Sequence, residues 1–450
     1  MVEESSLSWA SKQWETACLG DARRTRRAVQ VGAALCEGVG KSLPERFESW
    51  PALKGAYRLF ARPEASHERL SAPHREETRR ASEDSAGPVL FIQDTTQLDF
   101  SHHPTTTGLG RIGRGHQRGL LVHTTLAVRA DVPDAALLGM ADQWVWRRDG
   151  TGKRHQPRSE RLARSKESDI WAEAVERIGA APAGACWVSV GDRESDIFAH
   201  LQRAQALGWH CVVRARHNRV LADGGSALVE RIRAEPAQAE RRARLSARAG
   251  GRPEREHRLQ VSWLPAHLTS PAHHPGGPGL DVWVVRAWNS HVEWIVLATV
   301  PVADAVQANR VLDWYSTRWV IEEYHKGLKT GCRIEELELS TADRLELALG
   351  LLAIVAVRLL QLREQARREP DAPACNHIDP LWLGLIAARF ALDAERLSVR
   401  QFWHAVARLG GFLARKGDGE PGWQTLWLGF QRLKDMAWAA GYSATELRCG

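Results

Sequence analysis

Two short apolar runs, PVLFIQD at 88–94 and CWVSVGD at 186–192, each rise through β-branched and aromatic residues and stop on an aspartate. Runs of that length and composition read as strands in the interior of a sheet. Around them, GLLVHTTLAV (119–128), AALLGMADQWVW (135–146) and HCVVR (210–214) read as further strands, with helices expected near 168–179 and 195–207. Three strands followed by alternating helix and strand predict an α/β domain whose mixed central sheet is covered by helices. In such a sheet Asp94 and Asp192 both stand at the carboxyl edge, where open α/β sheets place their chemistry.

The rest of the chain divides around this centre. Residues 1–66 predict a small helical domain with amphipathic stretches at 7–17, 22–36 and 49–61, the second opened by Asp21 as an N-cap. Residues 67–368 predict the sheet domain, interrupted at about 215–308 by an insertion. There LQVSWL, LDVWVVRAWN and HVEWIVLATV read as antiparallel strands. Helices resume at about 303 and continue through 342–367, and the segment 369–450 predicts a further helical domain.

Composition narrows the partners. The longest apolar run, about 349–361, is too short for a bilayer span and the chain opens without a signal-like segment, so a cytoplasmic protein without a membrane partner is expected. Seven cysteines are scattered without CxxC spacing, which supports neither a disulfide framework nor a thiolate zinc site. The net charge of +7 is concentrated: residues 201–260 hold thirteen arginines against six acids, equal to the excess of the whole chain. Such a strip reads either as a solvated surface or as a neutraliser of phosphates. Arg23, Arg24, Arg26 and Arg27 crowd the start of the second helix, against the macrodipole, an arrangement that a phosphate backbone would relieve.

The stretch WYSTRWVIEEYHKGLKTG (314–331) carries the most telling polar pattern. Wound as one helix at about 100° per residue, Tyr315, Arg318, Glu322 and Lys329 share a stripe about 60° wide, with Glu323 off it. Trp319, Ile321, Leu312 and Leu328 are expected to be buried, so the stripe should line a cleft. A glutamate there, joined by Asp94 and Asp192 at two strand ends, is the layout of a ribonuclease-H-like nuclease core. Displacement at an anionic phosphodiester needs positive charge on the entering and leaving oxygens, which two divalent ions roughly 3.5–4 Å apart supply. Carboxylate oxygens alone select hard cations such as Mg²⁺ or Mn²⁺.

The motifs LGDARRTRR, GAYRLFARP, QDTTQLDF, GDRESDIFAHL, VVRARH, YSTRWVIEEYHKGLKTG, AVRLLQLRE and ARLGGF run in order through nearly the whole chain. In them the sequence resembles the DDE transposases of the IS-four insertion-sequence group, Tn-five type. The resemblance implies that Asp94, Asp192 and Glu322 hold two Mg²⁺ ions, with Mn²⁺ as a substitute. It implies that Tyr315, Arg318 and Lys329 contact the phosphates of the transposon end. Trp294 would stack on a base flipped from the duplex, with Arg214 nearby. The N-terminal domain would bind double-stranded DNA at the terminal inverted repeats through Arg23, Arg24, Arg26, Arg27 and Lys41, and the C-terminal helices would form the homodimer that synapses two ends. The reaction implied is nicking, hairpin formation, hairpin opening and joining of 3′ ends to target DNA, in a bacterial, nucleoid-associated protein. The rival readings are a catalytically silent, transposase-derived DNA-binding protein and a ribonuclease-H-like nuclease without strand transfer.

Overall fold

The computed structural model describes residues 5–113, 115–130, 135–148, 166–221, 227–245, 255–270, 278–367, 369–415 and 418–446. Part of the arginine-rich strip, residues 246–254, therefore lies outside the described residues. The chain forms two compact units, one of Glu77–Gln97 and Leu121–Glu322, the other of Met1–Glu76, Leu98–Leu120 and Glu323–Gly450.

The sheet contains β1 (Val89–Asp99), β2 (Gly110–Arg111), β3 (Arg118–Arg129), β4 (Ala136–Trp146), β5 (Trp187–Gly191), β6 (His210–Arg214), β7 (Ala239–Leu245), β8 (Arg255–Leu268), β9 (Leu280–Trp288) and β10 (Glu293–Ala298). Their order is β2-β3-β1-β5-β6-β10-β9-β8-β7, with β4 also paired to β3. Within it, β4-β3-β1-β5-β6 is the strand order of a ribonuclease-H-like core: β3 and β4 pair antiparallel, β1 and β5 parallel, and β5 and β6 parallel. The strands expected as an insertion hydrogen-bond onto β6 through β10, so they extend the central sheet rather than form a sheet of their own.

The parallel strands are short and apolar because both of their faces are covered. Every residue of β5 is buried. On one face Phe91, Trp187 and Trp209 stack at centroid separations of 4.8, 4.4 and 5.2 Å, in a cluster that also takes in Val175, Leu201 and Val213. Full burial of one such ring is worth about 2–3 kcal/mol. The two tryptophans keep their indole N–H groups satisfied on the Ser82 and Gly179 carbonyls, at 3.3 and 2.9 Å. Covering helices include α5 (Ile170–Ile178) and α6 (Phe198–Ala206).

In the second unit α1 (Ser6–Trp14), α2 (Ala22–Glu37) and α3 (Trp50–Phe60) precede α4 (His67–Glu83), a helix the sequence pattern did not announce. Asp21 is indeed the α2 N-cap, accepting the Arg23 backbone N–H at 2.8 Å. Later helices of this unit are α10 (Ala342–Arg367), α11 (Pro380–Phe390), α12 (Val399–Leu409) and α13 (Trp423–Glu446); α7 (Leu228–Ala234) and α8 (Ala305–Thr317) belong to the other, and the division falls within α9 (Trp319–Lys326), after Glu322. The expected apolar run proves longer than the sequence suggested: Ala342–Glu364 has the length and mean hydropathy, 2.0, of a membrane span. It is 78% buried against protein, α2, α3, α12 and α13 among its neighbours, which marks it as a core helix. Of the cysteines, Cys36, Cys211 and Cys332 are buried as small hydrophobes, whereas Cys18 and Cys375 are exposed.

Gly191 ends β5 because Ser195 folds back over it. A Cβ there would stand 2.3 Å from Ser195 Oγ and 2.6 Å from Ser195 Cβ. Gly191→Ala should therefore force the turn after β5 outward and cost about 1–3 kcal/mol, read as a fall in Tm, whereas Gly184→Ala, where nothing lies within 4 Å but φ is +82°, should cost only its backbone strain, about 1 kcal/mol.

Candidate active site

The sequence reading placed Asp94 at a strand end, but β1 runs on to Asp99, so Asp94 lies within the strand, whereas Asp192 directly follows β5. β1 and β5 pair in parallel as far as Ile92↔Val190, which leaves Asp94 and Asp192 each two residues beyond the last paired position on adjacent strands. Asp94 Oδ1 accepts the Thr95 backbone N–H at 2.9 Å. Asp192 caps the short turn that follows it, its Oδ1 accepting the Glu194 N–H at 2.7 Å.

Glu322 comes from the helical stretch that the sequence reading took as one helix. The structure corrects this: the helix breaks at Arg318, the C-cap of α8, restarts as α9, and ends in a π turn at Gly327–Gly331 whose Cys332 N–H bonds to the Gly327 carbonyl at 2.8 Å. The uniform angular step therefore fails across 315–329. Leu312, Ile321 and Leu328 are buried as expected, but Trp319, expected inside, is 52% exposed because the break turns it outward. The Arg318–Glu322 contact survives, at 3.1 Å between Nη1 and Oε1.

Electrostatics ties these residues together. Burial first, then the charges of Asp192 and Glu322, push the Asp94 carboxyl up to about 7, against smaller opposing effects of the Thr95 N–H and Arg318. For Arg318, burial is the largest influence and pulls its pKa down, but Tyr315, Glu322 and Asp94 together outweigh it and the net shift is upward. Asp94, Asp192, Glu322, Arg318 and Tyr315 thus feel one another within one unit. Tyr315 is buried and meets the half-buried Trp294 of β10 edge-on at 5.8 Å. Arg214 on the neighbouring β6 donates to the Glu293 carbonyl at 3.1 Å.

Among the described residues no three acids, histidines or cysteines stand close enough to ligate a metal ion as they are placed. The two facts are compatible: charges interact over roughly 10 Å, whereas ligation of Mg²⁺ or Ca²⁺ needs about 2.0–2.6 Å. The donor set itself fits a hard divalent ion, being all carboxylate and short of positive charge at Asp94.

The remaining expected contacts lie in the other unit. Lys329 sits on the π turn and pairs with Glu335 at 3.5 Å. Arg23, Arg26 and Lys41 are exposed, Arg23 pairing with Asp21. Arg24 and Arg27 turn inward: Arg24 donates to the Leu19 carbonyl at 2.9 Å and pairs with Glu64 at 3.6 Å, and the Arg27 guanidinium lies over Gly55. The basic strip is likewise less free than its composition implied, since Arg203, Arg219, Arg233 and Arg241 pair with Glu176, Asp196, Glu293 and Asp313. Of these acids, the sequence reading missed Asp196. It is buried, accepts the Arg216 and His217 N–H groups at 2.7 and 3.0 Å and pairs with Arg219, so it ties the turn after Asp192 to the loop after β6. Its place at the end of the polar run DRESD (192–196) was the available signal.

Comparison with known families bears on this site. Residues 6–65 match a transposase DNA-binding domain, residues 161–358 a transposase DDE domain, and residues 356–449 the transposase Tn5 dimerisation domain. The chain belongs to the DDE transposases. The DDE match holds Asp192 and Glu322 but begins after Asp94, so for this transposase the first acid rests on the β1–β5 register and on its shifted pKa.

Because folding raises the Asp94 pKa above its ordinary 3.8, the protonated form is the one the fold favours. That stabilisation is full below pH about 4 and is lost as pH rises to about 7. In metal-free protein, Asp94→Asn should then exceed the parent in stability at pH 8 by up to about 4 kcal/mol, with the difference closing towards pH 4 in denaturant titrations.

Proposed function

We propose that this transposase excises and reinserts a DNA element by cut-and-paste chemistry, with Asp94, Asp192 and Glu322 holding two Mg²⁺ ions, which Mn²⁺ replaces. The observation that carries the reading is the gathering of three acids from two neighbouring strands and the α9 helix, close enough that Asp192 and Glu322 help to raise the Asp94 carboxyl, a charge that a shared cation would neutralise. Divalent ions bound there would place positive charge on the entering and leaving oxygens of an in-line displacement. Glu322 now pairs with Arg318; were it to hold the ion instead, the Arg318 guanidinium would be free to take a phosphate in bidentate fashion. Tyr315 and Lys329 hold neighbouring phosphates of the transposon end. Trp294 offers its face to a base displaced from the duplex, a sequence-tolerant contact, and Arg214 lies one strand away.

Residues 1–66 serve as the domain that grips the inverted repeats, with Arg23, Arg26 and Lys41 the side chains best exposed for it and Arg24 and Arg27 acting from beneath. Residues 67–368 form the catalytic domain and 369–450 the dimerisation domain that synapses two ends. The reaction sequence is a nick, attack of the freed 3′-hydroxyl on the opposite strand to give a hairpin, reopening by water, and attack of the 3′-hydroxyl on target DNA. A bacterial cytoplasm is the setting that suits it.

The test uses duplexes carrying the inverted repeats that flank the gene. With Mg²⁺ they should yield hairpin ends, and Asp192→Ala or Glu322→Gln should lower the cleavage rate by about 10³-fold or more while band-shift binding of the same duplex is retained. Nicks without hairpins would reduce the reading to a plain nuclease, and binding without any cleavage by the parent would leave a silent DNA-binding protein.

A further inference from the structure

Beneath the two aspartates, on the opposite face of the strands, runs an unbroken row of polar side chains inside the apolar core. Gln93, His123, Ser189, Ser195 and His200 are each 0% exposed. Thr95 Oγ1 lies 2.8 Å from His123 Nδ1, and His123 Nε2 lies 3.0 Å from Gln93 Oε1. The Gln93 amide donates to Ser189 Oγ at 3.0 Å, Ser189 Oγ lies 3.1 Å from His200 Nε2, and His200 Nδ1 lies 3.0 Å from the Ser195 carbonyl. The donors and acceptors assign themselves in one direction. The Gln93 oxygen accepts, so His123 carries its proton on Nε2 and takes the Thr95 hydroxyl proton on Nδ1. The Ser195 carbonyl accepts, so His200 carries its proton on Nδ1 and takes the Ser189 hydroxyl proton on Nε2. Burial holds His200 down at about 4, which keeps its imidazole neutral in this chain. The Trp171 ring meets His123 edge-on at 4.8 Å and flanks His200 at 6.2 Å, closing the row against water.

Each end of the row is fixed to one of the acids. Thr95, whose hydroxyl opens the chain, gives its backbone N–H to Asp94 Oδ1. Ser195, whose carbonyl closes it, gives its hydroxyl to the Asp192 carbonyl at 2.6 Å, and Gly191 leaves the space that allows this. A buried polar chain in a core that could have been apolar must satisfy every member or cost stability, and here it joins β3, β1, β5, α6 and the turn bearing Asp192. We infer that Thr95, His123, Gln93, Ser189 and His200 are positioning residues: their hydrogen-bonded row sets the separation and rotation of Asp94 and Asp192, and with them the affinity of the site for its divalent ion. This inference rests on the metal-binding role proposed above for the two aspartates.

The experiment measures Mn²⁺ binding to the full-length, DNA-free protein by titration calorimetry, beside Tm. Thr95→Val removes the hydroxyl and keeps the shape, and it should weaken Mn²⁺ binding about 10-fold or more, the usual effect of losing an outer-shell partner. Thr95→Ser should restore it. Ser189→Ala should weaken binding at least as much. Leu201→Ala, a cavity in the same covering helix α6, should lower Tm and leave Mn²⁺ affinity at the parent value. The inference is overturned if Thr95→Val and Ser189→Ala bind Mn²⁺ like the parent while Asp94→Ala does not. It is overturned equally if Leu201→Ala weakens binding in step with Tm and Thr95→Ser restores nothing. Should Asp94→Ala bind Mn²⁺ as tightly as the parent, the metal-binding role falls and the inference with it; should Ser189→Ala fail to fold, the Thr95 pair decides alone.

Discussion

The parallel pairing of β1 with β5 is the constraint on which the site depends. Two strands held in one register bring Asp94 and Asp192, far apart in sequence, each two residues past the last paired position of neighbouring strands. A slip of one residue would turn one acid to the opposite face of the sheet and separate the pair. The register is secured by what lies on the strands' other positions: Phe91 and Trp187 packed with Trp209, and no exposed residue anywhere in β5. Hydrophobic burial thus supplies the stability against which three like charges are gathered, and burial together with Asp192 and Glu322 pushes the Asp94 carboxyl upward.

Arg318 is the counterweight. It stands at the break between α8 and α9 and pairs with Glu322 while also feeling Asp94 and Tyr315. Just past the break, Trp319 is turned to solvent while Ile321 is buried. The break therefore separates two duties of one short segment, an ion pair beside the acids and an aromatic surface outside.

In the other unit the π turn after α9 is held by the N-terminal helical region. The buried Arg46 donates to the Cys332 carbonyl at 2.7 Å, the Gly40 N–H to the Gly331 carbonyl at 3.0 Å, and Arg333, in the left-handed conformation at φ 52°, returns a bond to the Gly40 carbonyl at 3.0 Å. Few non-glycine residues adopt that conformation without such partners. Lys329 and the exposed Lys41 are consequently carried by backbone segments that are bonded to each other, so the proposed end-binding and phosphate-binding residues share a support.

The sequence by itself determined the elements that repeat a strong local pattern: β5, β6, α2 with its Asp21 cap, α10, and the strands flanking Trp294. It also placed Asp94 and Asp192 on apolar strand segments, because an apolar run reaching an aspartate is visible without coordinates; it did not show that β1 runs on past Asp94 to Asp99. It missed α4, whose polar composition hides its period, and β7, whose arginines disguise an edge strand. Only the tertiary structure decided that Arg24, Arg27, Arg219 and Arg241 spend their charge inside the protein, that the Tyr315–Lys329 stretch is not one helix, and that Gln93, His123, Ser189 and His200 form one row. The reason is physical: period and capping are properties of a few neighbouring residues, whereas a charge or hydrogen-bond partner is chosen across the fold, from residues whose closeness no local pattern encodes.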